Sequence, residues 1–273
     1  MKLLTKKHIQ LVFKPREKTS HKGKNGHVLL IAGASGKMGA AVIAASACLR
    51  SGCGLLTVSV PQSERCILQI ARPEAMLVFR ENKIENTSIY SSIGIGPGLG
   101  TDNDSKKILI PILQSKQPLV LDADALNIIA ANPKLFSQIP PQSILTPHPK
   151  EFDRLFGEHT TVEERRKKAI QKATELNIVI VLKDHQTLIT TQQQSFYNTT
   201  GNAGLAKGGS GDALTGMISA FLAQGYSAFE SAQLGVYLHG LAADLALKNQ
   251  SMESLLITDV INCLGKAFKT LLK

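Results

Sequence analysis

The chain has no tryptophan, and aromatic residues make up only 5% of it. Its four cysteines, Cys48, Cys53, Cys66 and Cys263, form no CxxC pair and show no Cys/His ligand spacing. That excludes a disulfide framework and a zinc site, and it suits a reducing compartment. No apolar run approaches the roughly 18 residues of a membrane span. Lys6, Lys7 and His8 interrupt any signal-peptide core near the start. A soluble, cytoplasmic protein without a membrane partner is therefore expected. Acids are scarce too, 21 against 31 Lys and Arg, for a net charge of +10. Such an excess points to nucleic acid when it is spread along a face with aromatics between the charges. Here residues 1–24 hold eight Lys or Arg and one acid, which is seven of the ten excess charges. The rest of the chain is nearly neutral. A small anionic molecule is the better partner, and nucleic acid is not expected.

What is present is an ordinary globular composition, 43% hydrophobic with 22 glycines in 273 residues, large enough to bury a sizeable core. Beyond the basic segment, short apolar runs alternate with helix-like stretches. The runs at 27–33, 55–60, 76–79, 89–95, 119–122, 143–146 and 178–183 read as strands. Several are apolar at every position, as strands covered on both faces are. Residues 186–190 and 195–198 read as a short antiparallel continuation. Helices are expected at 39–50, 104–114, 161–176, 211–223, 228–247 and 258–272, with Thr161 and Glu164 at capping-box spacing. Repeated βα units imply an α/β protein with three layers around a mainly parallel sheet. One domain over residues 1–273 is expected, with 1–24 as a basic arm outside the pattern. Sheets of this kind bind ligands beyond the carboxyl ends of their strands, and the glycine-rich clusters of this chain fall there.

The most informative cluster is Gly208, Gly209, Ser210, Gly211 and Asp212, leading into an apolar helix. Its glycines let backbone approach a ligand, and the helix start supplies unpaired N–H groups and positive dipole: an anion site. A carboxylate there is an ordinary cap or, beside a phosphate, a base that takes the proton of an attacking hydroxyl. The spacing fits neither a Walker A loop nor a dinucleotide-binding GxGxxG.

This Gly-Gly-Ser-Gly-Asp run resembles the anion-hole and base motif of ribokinase-like small-molecule kinases. With the segments 21–33, 39–52, 95–100, 121–127 and 146–152, the chain resembles the NAD(P)H-hydrate dehydratase family over roughly residues 20–240, in its stand-alone, ADP-dependent form. The resemblance implies a ribokinase-like fold and the removal of water from hydrated NADH or NADPH, with ADP as co-substrate and Mg²⁺. It implies Asp212 as the base, and an anion hole at Gly208–Gly211. It places adenylate at Lys183, Asp184, His185, Gln186 and Thr187, and substrate contacts at Ala40, Gly98, His148 and Asp212. It also implies a homo-oligomer, often a tetramer. A separate epimerase acting on the same metabolite is implied, since the chain starts too near its first strand to include one. One departure stands out: Asp184 occupies a position where the family usually has glycine. Asp122, Asp124 and Glu151 are oxygen donors of the kind Mg²⁺ takes, and equally read as caps and salt-bridge partners; no direct metal ligand is assigned. The alternative is a ribokinase-like kinase of the hydroxymethylpyrimidine or hydroxyethylthiazole type, which stops after phosphorylation. The Thr146-Pro-His-Pro-Lys-Glu151 block and the Gly39-Ala-Ala opening favour the dehydratase.

Overall fold

The unbroken apolar runs are strands buried between two helical layers. The computed structural model describes residues 2–81 and 86–272. The chain opens with β1 (Lys2–Leu4) and α1 (Lys6–Val12), followed by β2 (His27–Ile31), α2 (Met38–Arg50), β3 (Leu55–Val60), α3 (Arg65–Ala71) and β4 (Met76–Phe79). Next come β5 (Ser92–Ile95), α4 (Asn103–Leu113), β6 (Leu119–Leu121), α5 (Ala123–Ala131), β7 (Ile144–Leu145), α6 (Pro149–Phe156) and α7 (Val162–Glu175). The last part comprises β8 (Val179–Leu182), β9 (Leu188–Thr190), β10 (Ser195–Asn198), α8 (Ser210–Ala223), α9 (Ala228–Ala246) and α10 (Ile257–Leu271).

The strands form one sheet in the order β1-β10-β9-β8-β7-β6-β5-β2-β3-β4. From β8 to β4 every pairing is parallel, whereas β9 runs antiparallel to both β8 and β10. Alternation within each strand sorts the layers. Val28 and Leu30 of β2 pack with α2, α3 and α8, while Leu29 and Ile31 pack with α4 and α5 on the opposite face. Helix α7 starts at the expected capping box, with Glu164 N donating to Thr161 Oγ1 at 3.2 Å and Thr161 N donating back to Glu164 Oε2 at 3.1 Å. Helices α2 and α8 pack backbone to backbone. A Cβ on Gly216 would lie 2.1 Å from the Ala44 carbonyl oxygen, so no larger residue fits between them. No helix among the described residues is long and apolar enough to cross a membrane.

The first residues are not an appendage. Strand β1 pairs in parallel with β10, Leu4 and Ile9 are fully buried, and α1 lies against α9 and α10. The Lys and Arg side chains of residues 2–24 all stay exposed, as do Leu3 and Leu11. A three-residue strand and a seven-residue helix, interrupted by lysines, are too short to show a period in the sequence.

Candidate active site

Five loops leave the carboxyl ends of parallel strands on one side of the sheet, and backbone hydrogen bonds lock them together. Gly33 N donates to Pro97 O at 2.7 Å, and Asp122 N to Ile95 O at 3.1 Å. Thr146 N reaches Leu121 O at 3.1 Å, and Lys183 N reaches Pro147 O at 2.9 Å. The start of α8 lies over them. Gly209 opens that helix in the left-handed region at φ +92°, and a Cβ there would lie 2.6 Å from Ile43 of α2. No side chain caps α8, so its first amides and its dipole face the site unopposed.

A charged cluster sits beneath this helix start. Asp122, 1% exposed, accepts from Lys183 Nζ at 2.9 Å through Oδ1 and from Thr215 Oγ1 at 2.8 Å through Oδ2. Glu151 Oε2 lies 3.8 Å from the same ammonium. Lys183 Nζ also lies 3.1 Å from where a Gly211 Cβ would stand. Burial alone would lower the Lys183 ammonium, but Asp122 and then Glu151 outweigh it and hold it above the usual lysine range. Burial likewise opposes the Asp122 carboxylate, and Lys183 and Thr215 keep it below its ordinary value. Glu151 is pushed up, by burial first, against the pull of Lys183. Asp212 is raised from 3.8 to about 6, by burial and then by Asp122, with Lys183 opposing. The cluster thus holds one committed ion pair beside one carboxylate poised near neutral pH.

His148 is the N-cap of α6. Its Nδ1 accepts from Lys150 N at 3.1 Å and from Glu151 N at 3.3 Å, and Glu151 Oε2 accepts from His148 N at 2.8 Å. Burial, with help from Lys183 and Arg154, lowers the imidazole pKa. The neutral ring therefore carries its proton on Nε2, which lies 3.5 Å from Glu151 Oε1. On the other side of the loops, Ala40 and Gly98 meet: a Cβ on Gly98 would lie 2.9 Å from Ala40 Cβ. A cavity of about 750 Å³, lined by Ala34, Arg80, Leu99 and Asp102 among others, opens beside them. Of the segment 183–187, only Lys183 enters the cluster. Asp184 and His185 are exposed on the turn between β8 and β9, where Asp184 Oδ1 accepts from His185 N at 2.7 Å. Asp184 is not among the residues with positive φ, so the turn holds an aspartate without backbone strain.

Asp124 and Glu151 both make structural contacts. Asp124 Oδ2 accepts from Gly100 N at 2.8 Å and lies 3.7 Å from Lys37 Nζ, while Glu151 closes the capping box of α6. Among the described residues no three His, Cys, Asp or Glu side chains are grouped to hold a metal. Two residues escaped the sequence reading. Thr215 lies three positions after Asp212, one turn along the same helix face, a spacing that was available as a signal. His239 is buried in α9 with Nε2 unpartnered, and its pKa is lowered to about 4 by burial and then by Lys183. A lone histidine in an apolar helix carries no signal that separates it from core.

A mainly parallel sheet between helical layers, with a Gly-Gly-Ser-Gly-Asp loop opening a buried helix at the carboxyl ends of the strands, is the ribokinase-like arrangement. The chain belongs to the NAD(P)H-hydrate dehydratase family, whose model matches residues 28–266. An ADP-dependent (S)-NAD(P)H-hydrate dehydratase from Neisseria meningitidis is 40% identical, over 86% of this chain and 81% of that one. A bifunctional NAD(P)H-hydrate repair enzyme from Vibrio cholerae is 39% identical over 90% of this chain, which spans 50% of that longer protein. The chain thus covers about half the length of the bifunctional relatives it matches. The crystal structure of a Bacillus subtilis ADP/ATP-dependent NAD(P)H-hydrate dehydratase, co-crystallised with ATP and Mg²⁺, superposes with a TM-score of 0.88 at 32% identity, covering 99% of this chain and 98% of that one. A hydroxyethylthiazole kinase from Pyrococcus horikoshii, 16% identical with a TM-score of 0.67, covering 91% of this chain and 92% of that one, shares the fold alone.

Proposed function

We propose that the protein returns hydrated NADH and NADPH to the dihydronicotinamide, consuming ADP and releasing AMP and phosphate. The observation that carries this reading is the Asp212 carboxylate, raised to about 6 at the uncapped start of α8 beside Lys183. In the hydrate, a hydroxyl sits on the ring carbon next to N1, and hydroxide is a poor leaving group. Asp212 takes the hydroxyl proton as the oxygen attacks the β-phosphorus of ADP. Backbone amides of Gly208–Gly211, with Lys183, stabilise charge on the transferring group. The N1 lone pair then expels phosphate, and loss of a proton from the adjacent carbon restores the ring double bond. Mg²⁺ supplies charge neutralisation on the nucleotide phosphates. Both oxygens of Asp122 are already engaged, so a bound ion would be held mainly by the nucleotide phosphates and water, and the partly engaged Glu151 carboxylate could contribute through water.

The half-exposed His148 ring, with Nε2 3.5 Å from Glu151 Oε1, is the donor that would meet the hydrated ring or its amide, and the cavity beside Ala40 and Gly98 gives room for the rest of the dinucleotide. The dehydration acts on one configuration at the hydrated carbon, so an epimerase for the other is the partner this reading requires. The test is to supply hydrated NADH, Mg²⁺ and ADP and follow the return of dihydronicotinamide absorbance. A phosphorylated product that accumulates without that return would make the protein a kinase instead.

Two expectations follow from the geometry. The rate should fall about tenfold per pH unit below about 6, because Asp212 acts only when deprotonated and its raised value sets the acid limb. A profile flat down to pH 5 would overturn the base assignment. Replacing His148 with asparagine keeps a good N-cap for α6 but removes the Nε2 donor. One hydrogen bond is worth about 0.5–3 kcal/mol, so binding of the hydrate should weaken roughly 2- to 150-fold with ADP binding unchanged, as separate calorimetric titrations would read. A loss confined to ADP would move His148 to the nucleotide side.

A further inference from the structure

At the amino ends of the strands, on the side away from Asp212, two thiols meet. Cys48 lies in the last turn of α2 and is fully buried, whereas Cys53 is half-buried in the turn leading to β3. Their sulfurs are 3.5 Å apart, and Cys53 Sγ also lies 3.5 Å from the Cys48 carbonyl oxygen. A disulfide bond is about 2.05 Å long, so a small side-chain movement closes it. Between the two residues, Gly52 takes φ +95° and breaks the helix. Arg16, from the basic N-terminal segment, donates to the Gly52 carbonyl and so fixes a guanidinium over this turn. The inner sulfur is shielded and the outer one is reachable.

We infer that Cys48 and Cys53 are a peroxide-reactive dithiol that closes reversibly into an intramolecular disulfide, with Cys53 the attacking and Cys48 the resolving thiol. The division of labour follows from their surroundings. The Cys48 thiol against its sulfur, opposed by burial and joined by Arg16, lowers the Cys53 thiol, while burial first of all raises Cys48. The Cys53 thiolate attacks one oxygen of hydrogen peroxide. An S–O bond forms, the O–O bond breaks, and hydroxide leaves, giving the sulfenic acid. Cys48 sulfur then attacks Cys53 sulfur. The S–S bond forms, the S–O bond breaks, and the departing hydroxide takes the Cys48 proton as water. Two thiols are oxidised by two electrons as one peroxide is reduced, and a dithiol reductant reverses the bond.

The test uses the full-length reduced protein exposed to hydrogen peroxide, then alkylated and digested with trypsin. Cleavage after Arg50 separates the two cysteines, so the disulfide appears as peptide 38–50 linked to peptide 51–65, lighter by two hydrogens than the sum of the reduced pair. Cys66, exposed on α3, is the internal control. The linked pair should form before Cys66 is consumed and vanish with dithiothreitol. In Cys48→Ala, Cys53 should stop as a sulfenic acid trapped by dimedone. In Arg16→Gln, alkylation of Cys53 in the unoxidised protein should slow roughly two- to tenfold. Oxidation of Cys66 ahead of any 48–53 link, or pairing of Cys53 with another cysteine, would overturn the proposal.

Discussion

Replacing Asp212 with asparagine is expected to cut turnover by about 10²–10⁴-fold and at the same time to make the protein more stable. The first effect is the loss of a general base. The second follows from the sign of its shift. A carboxyl raised from 3.8 to about 6 in the folded chain destabilises that state wherever the unfolded chain would hold it ionised. The destabilisation is complete above about pH 6 and disappears below 3.8. One pKa unit corresponds to about 1.4 kcal/mol, so the variant should gain about 1–3 kcal/mol at neutral pH. Urea midpoints would read this directly, and the gain should shrink on acidification. A variant that loses activity and stability together would show Asp212 to be a structural partner rather than a strained base.

Replacing Lys183 with methionine should have the opposite effect on stability. It leaves Asp122, 1% exposed, with only the neutral hydroxyls of Thr215 and Thr146 to answer its charge. Breaking a buried pair from one side costs about 3–5 kcal/mol, and nucleotide binding should fall with it because the ammonium beside Gly211 is gone. The variant should regain stability as pH drops, since Asp122 then takes up a proton. The double variant with Asp122→Asn removes the orphaned charge and should recover most of the lost stability in urea, while nucleotide binding stays weak. If the single variant is as stable as the parent, the ion pair does not organise the site.

Most of the layered sheet was legible because buried parallel strands leave unbroken apolar runs, as in Ile178–Leu182, and Gly208–Asp212 marks a helix start that backbone must approach closely. Some short elements were not. Strand β1 is three residues long, and α6 hides behind prolines that flank His148. Nor could the sequence decide what Asp122 does, since its meaning depends on Lys183, brought to 2.9 Å from 61 residues away. The identity of Asp122 as a cluster anchor is a fact of topology. Residues 183–187 read as one nucleotide-binding run, yet in the fold they divide between the half-buried Lys183 ammonium and a turn that exposes Asp184 and His185.

The meeting of Gly216 with the Ala44 carbonyl gives the molecule a fixed ruler. Helix α2 carries Ala40 at its start and helix α8 carries Asp212 at its own, and the two axes touch at main-chain clearance. The span between Ala40 and Asp212, the ring-side wall and the proton acceptor of the proposed reaction, is therefore set where no rotamer can adjust it. A single methyl group at position 216 would act as a wedge, opening that span without altering any residue that meets a ligand.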